Sequence, residues 1–133
     1  MVLMDLDHFT SYYEHYGISA GDRCLQQVAS ALEEAIQRPG DLVARFDKSG
    51  FACVLPETDT LGAVSVAERM RAELASLAIP HAASPSSSTI LTMSVGVATR
   101  VPTNETEPED LVNHAERILF DAKRGGRNRV LFG

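Results

Sequence analysis

The chain has 133 residues, 44% of them apolar and 23% charged, which suits one folded domain and argues against wholesale disorder. Its net charge of −6 argues against a binder of duplex nucleic acid or of an anionic membrane, because both need a positive field; a local cluster of donors remains enough to hold a nucleotide. Cys24 and Cys53 show neither metal-ligand nor disulfide spacing, and no apolar run reaches the length of a membrane span, so a cytoplasmic location is the default expectation.

Taken in order, Met1 to Asp7 is an apolar run that ends in acids, a predicted strand carrying Asp5 and Asp7 to its C-terminal end. A strand starting at residue 1 reads as a domain trimmed at its front. Asp7 is expected to cap a short helix reaching Tyr16, with Phe9, Tyr12, Tyr13 and Tyr16 as its apolar stripe and Gly17 as its stop. Ser19 to Asp22 leads into a second helix running to about Gln37, where Leu25, Val28, Leu32 and Ile36 recur at helical spacing. Arg38-Pro-Gly-Asp41 is then a loop whose shape Pro and Gly restrict. Leu42–Phe46 and Phe51–Leu55 form a predicted hairpin, joined by the turn residues Asp47, Lys48, Ser49 and Gly50.

Glu57 to Thr60 opens a third helix to about Leu77, with Val64, Ala67, Met70 and Leu74 inward. Pro80 to Ser88 is a serine-rich loop, expected to be mobile. Ile90 to Ala98 reads as a buried strand and Glu109 to Arg124 as a fourth helix stopped by Gly125-Gly126. Asn128 to Phe132 closes the chain as a strand. The resulting order predicts an α+β domain over residues 1–133. It has a mixed, mostly antiparallel central sheet of about five strands flanked by helices, with the first strand near the middle. Asp5 and Asp7 are candidate Mg²⁺ ligands, although Asp7 reads better as a helix cap. His8, His15, His81 and His114 have no metal spacing.

Several segments together resemble one family. Leu3-Met-Asp-Leu-Asp-His-Phe9, Tyr16-Gly17, Gly21-Asp22, Asp41-Leu-Val-Ala-Arg-Phe46, Ala67-Glu-Arg69, Ser94-Val-Gly-Val-Ala98 and Ala122-Lys-Arg-Gly-Gly-Arg-Asn-Arg-Val130 are similar, in order and spacing, to the GGDEF domain. The resemblance covers nearly the whole chain and lacks only the front of the family's domain. It implies a nucleotidyl cyclase/polymerase-palm βααββαβ core and the condensation of two GTP into cyclic di-GMP. It also implies two divalent metals held by Asp5, the Leu6 carbonyl and the position of Ser49. The signature departs from the pattern, however. Asp47, Lys48, Ser49, Gly50 and Phe51 stand where the family has Gly-Gly-Asp/Glu-Glu-Phe, and only the Phe is kept. Asp47 and Lys48 put side chains where the family's two glycines let the backbone approach the nucleotide. Ser49 offers no anionic ligand and Gly50 removes the second acid, so no intact catalytic set is expected, and Asp5 and Leu6 remain as a weak Mg²⁺ site.

The guanine-reading pair is also mixed. Asp22 matches, but Tyr13 replaces the family's Asn; Lys123 and Arg127 match residues that contact the triphosphate. These four residues are the candidate remains of a GTP cleft. The inhibition site is kept: Arg38-Pro-Gly-Asp41 lies five residues ahead of Asp47, and Arg69 matches its third member. A carboxylate and arginines suit the edge and face of guanine and the phosphates of cyclic di-GMP. The resemblance thus implies a degenerate, catalytically inactive domain that binds cyclic di-GMP at Arg38, Asp41 and Arg69. It would need no cofactor and would signal to a second copy or to an attached module such as a phosphodiesterase. A weakly active cyclase, or a GTP-binding or dimerisation scaffold, are the alternatives.

Overall fold

The computed structural model describes residues 1–133. Its elements run β1 (Val2–Leu6), α1 (Phe9–Tyr16), α2 (Ile18–Ala35), β2 (Leu42–Phe46), β3 (Gly50–Val54), α3 (Thr60–Ser76), β4 (Met93–Val97), α4 (Pro108–Arg124) and β5 (Val130–Phe132). The five strands form one sheet in the order β2-β3-β1-β4-β5, antiparallel except for the parallel β4–β5 pair. This is the mixed, mostly antiparallel sheet that the element order predicts.

β1 is central because it is apolar on both faces. Val2, Met4 and Leu6 face a large core with Phe51, Cys53, Met93 and Val95, closed over by α2 and α3 through Val28, Leu32, Ala67, Met70 and Leu74. Burial of each large side chain there contributes about 1.5–3 kcal/mol. On the opposite face Leu3 packs with Ala115 and Ile118 of α4. Alternation then gives Asp5 the α4 face, at the point where β1 leaves the sheet. Gly96 lets α4 ride close to the strands: a Cβ there would stand 2.5 Å from the Leu119 nitrogen and 2.7 Å from the Ala115 oxygen.

Departures from the sequence expectations have specific physical causes. Asp7 does not cap α1; the N-cap is His8, in the left-handed region with φ 55°. The buried Asp7 carboxylate instead accepts from the hydroxyls of Thr92 and Ser94, each at 2.7 Å, and from the Asn128 N–H at 3.1 Å. Three donors distant in sequence prevail over a single local cap. α2 begins at Ile18, so Gly21 and Asp22 lie inside the helix rather than ahead of it. Three residues rather than four, Asp47, Lys48 and Ser49, join β2 to β3, because Gly50 is already paired with Phe46. Asp47 takes φ 67° to make so short a reversal. Ile90 lies outside β4 and pairs with Pro80 as an isolated bridge.

Candidate functional site

The end of β1 gathers one group of predicted residues. Asp5 faces α4, and Lys123 in the last turn of that helix places its ammonium on Asp5 Oδ2. The hairpin turn is tied to the same place by the Leu6 N–H donating to the Ser49 carbonyl at 2.9 Å. Ser49 Oγ then donates to Asp5 Oδ1 at 2.5 Å. Arg127, at φ 61° in the turn after α4, closes a shallow cleft of about 280 Å³ together with His8, Thr10, Ser11 and Ser49. Burial first, and then the Arg127 charge, lower the His8 pKa from its ordinary value. Tyr13 and Asp22 also meet: the phenol donates to Asp22 Oδ1 at 3.1 Å, and the ring lies where a side chain at Gly21 would stand. Burial and this hydrogen bond hold the Tyr13 pKa above its ordinary value.

The rest of the signature segment divides sharply. Lys48 matches a signature position but is not brought into the site: it is exposed at the tip of the hairpin and does not line the cleft beside α1. Its backbone serves the turn instead, the N–H donating to Asp47 Oδ1 at 2.8 Å and the carbonyl accepting from Arg45 at 2.9 Å. Phe51, by contrast, is 1% exposed, a core residue held by packing.

Divalent-cation chemistry fits this end of the cleft poorly. Mg²⁺ takes near-octahedral oxygen ligands, commonly one or two carboxylates completed by water and phosphate. Both oxygens of Asp5 already have donors, Asp7 serves three others, and no group of three His, Cys, Asp or Glu side chains converges anywhere in the chain. Sequence matching assigns Lys123 to phosphate and Asp5 to metal, whereas the fold turns the two on each other.

The second group lies in the loop between α2 and β2 and at the start of α3. The Pro39-Gly40 turn closes with the Asp41 N–H donating to the Arg38 carbonyl at 3.0 Å, which sets the two side chains side by side. Arg38 donates to both Asp41 oxygens, at 2.9 and 3.3 Å, to the Pro56 carbonyl at 2.7 Å, and to Thr58 Oγ1. The Asp41 side chain is 4% exposed and that of Arg38 50%, so the carboxylate forms the floor and the guanidinium the rim. The Asp41 hydrogen bond is the main cause of the raised Arg38 pKa.

α3 supplies the facing wall. Asp59 caps it, its Oδ1 accepting from the Gly62 N–H at 2.8 Å, and Gly62, Val66 and Arg69 follow at spacings of four and three on one stripe. The cleft between loop and helix holds about 460 Å³. The Arg69 Nε within it is buried and has no hydrogen-bond partner. Thr58 and the Pro56 carbonyl were invisible as members of this site from sequence, since nothing but the fold brings the end of β3 to Arg38.

A palm-like sheet with acids at the end of its central strand defines the nucleotidyl cyclase class. Solved structures agree. The diguanylate cyclase SiaD of Pseudomonas aeruginosa, in complex with its activator SiaC, superposes with a TM-score of 0.85 at 32% identity, covering 99% of this chain and 48% of that one. The GGDEF domain of DgcB from Caulobacter crescentus, in complex with c-di-GMP, gives 0.84 at 27% identity, covering 98% and 75%. The family described as "Diguanylate cyclase, GGDEF domain" matches residues 1–129, and the chain belongs to it.

Among curated relatives, Diguanylate cyclase DgcM of Escherichia coli is 37% identical over 98% of this chain. Probable diguanylate cyclase DgcT of the same species is 33% identical over 98%. An uncharacterized Bacillus subtilis protein, YhcK, is 33% identical over 99%. The chain spans only 28% to 36% of the length of these three relatives. No helix is long and apolar enough to cross a membrane.

Proposed function

We propose that this GGDEF domain has lost catalysis and acts as a receptor module for cyclic di-GMP, bound by Arg38, Asp41 and Arg69. The observation that carries the reading is the contrast between the two clefts. At the β1 end, Asp5 is occupied by Ser49 and Lys123. Around the Arg38 loop, a polar cleft is assembled with its floor paired and one buried donor, Arg69 Nε, still without an acceptor.

The chemistry suits a guanine dinucleotide. Asp41 accepts from the Watson–Crick edge of one base, while arginines on opposite walls stack on bases, donate to O6 and N7, and meet the phosphates. Arg38 is held in place by three acceptors before any ligand arrives, so little of its side-chain freedom remains to be lost on binding. The c-di-GMP complex of the DgcB domain supports the choice of ligand.

At the β1 end, a GTP pair would find one carboxylate already neutralised and a guanine-reading acid, Asp22, engaged by Tyr13. Condensation of GTP is therefore absent or reduced by orders of magnitude. The bound signal passes to another module of a longer polypeptide or to a second copy, in keeping with relatives about three times the length of this chain.

Calorimetric titration of cyclic di-GMP into the protein and into Arg38→Ala tests the proposal. Binding that weakens roughly tenfold or more in the variant supports it. Unchanged binding, or none to the unmodified protein, refutes the receptor reading, and cyclic di-GMP production from GTP with Mg²⁺ or Mn²⁺ refutes the loss of catalysis.

A further inference from the structure

We infer that Lys123 replaces the divalent cation at the end of β1, making the cleft beside α1 independent of metal. This deepens the non-catalytic half of the proposed function and does not involve the Arg38 cleft.

α4 lies against Gly96, and this close seat brings its last turn over the α4 face of β1, where Asp5 projects. Lys123 is the residue of that turn whose ammonium reaches Asp5, with the side chains 33% and 23% exposed. An ammonium is a compact cation with only donors, and it sits on the oxygen that a metal would need. The second oxygen accepts from Ser49. A hydroxyl is neutral and directs its proton to Asp5, so Ser49 adds no negative charge there.

Charge balance agrees. Within the cleft beside α1 the acids are Asp5 and Asp7 and the cations Lys123 and Arg127, which leaves no surplus negative charge inside it to draw a hard dication out of water; Asp47 and Glu116 line the adjoining cleft that Asp5 and Lys123 also border. Asp7 is not in reserve, since it is buried and its oxygens serve Thr92, Ser94 and the Asn128 N–H. A metal would have to displace an intramolecular cation already at contact distance. A phosphate-bearing molecule entering this cleft would instead meet Arg127, which has no ion-pair partner, with no metal to bridge it.

Mn²⁺ titration followed by electron paramagnetic resonance tests this on the full chain and on Asp5→Asn, Lys123→Met and the double variant Ser49→Asp/Lys123→Met. The unmodified protein should show no Asp5-dependent Mn²⁺ binding. The double variant, with two carboxylates facing each other and no ammonium, should bind Mn²⁺ more than about tenfold more tightly, and adding Asp5→Asn should abolish that gain. A specific Mn²⁺ site in the unmodified protein that Asp5→Asn removes would overturn the inference. So would a folded double variant without the gain. If the double variant does not fold, Lys123→Met alone decides, with a smaller gain expected and no gain counting against. Cyclic di-GMP titrations on these proteins keep the two readings separate, because the Arg38 cleft should bind equally well in all of them.

Discussion

Replacing Arg69 by Met should push stability and ligand binding in opposite directions. The Arg69 Nε is buried without an acceptor, and a buried unsatisfied donor costs about 1–3 kcal/mol. Met keeps an unbranched apolar stem against Val66 and removes the donor. Some of the gain is offset by packing lost from the guanidinium, so a net stabilisation of about 1 kcal/mol is the expected result for the ligand-free protein. For a domain of this size that corresponds to a rise in Tm of roughly 3–5 °C. Binding should move the other way. A hydrogen bond to a charged group contributes about 1.5–3 kcal/mol, so the Kd for cyclic di-GMP should rise roughly 10- to 150-fold. Thermal melts with and without ligand read both effects in one experiment, since a ligand that binds only the folded state adds stability by mass action. A variant that is less stable without ligand, or one whose ligand-induced shift equals that of the unmodified protein, would refute the reasoning.

Two further outcomes concern the fold. Gly96→Ala should lower stability by about 1–3 kcal/mol, because the added methyl meets backbone atoms of α4 that cannot rotate aside; a Tm equal to that of the unmodified protein would contradict the close approach. Stability should also fall on mild acidification. Burial, followed by neighbouring arginines, lowers the pKa of His8 and of His114 below the ordinary 6.5. The unfolded chain then takes up protons first, so this contribution is fully present above about pH 6.5 and is lost as pH falls through the folded-state values. Denaturant midpoints between about pH 7.5 and 5.5 should decline, and the His8→Asn/His114→Gln pair should flatten that decline, with Asn tolerating the left-handed backbone at position 8. A midpoint that rises over this range would show the sign to be wrong.

Much of this protein is legible one residue at a time. The apolar run of Val2 to Leu6, apolar positions at helical spacing in α2 and α3, and the stop at Gly125 follow from backbone geometry and side-chain sorting, which act over a few residues. Arg38 and Asp41 could be paired for the same reason, since three residues and a Pro-Gly turn leave them little choice. Asp7 shows where such reading stops. Its local chemistry says helix cap, yet its three donors come from Thr92, Ser94 and Asn128, and no local rule weighs them. The hairpin turn shows the same limit: Lys48 and Ser49 are adjacent in sequence, but only Ser49 is turned toward Asp5.

What the sequence determined by itself is the element order, the central strand, and the acids, arginines and lysine available for chemistry. Only the tertiary structure decided how they are used. It left Arg69 without an acceptor across the cleft from Arg38, and it turned Lys123 onto Asp5 and Tyr13 onto Asp22. The physical reason is that charge pairing depends on distance in space. Asp5 and Lys123 lie 118 residues apart along the chain and are in contact only because α4 seats on Gly96.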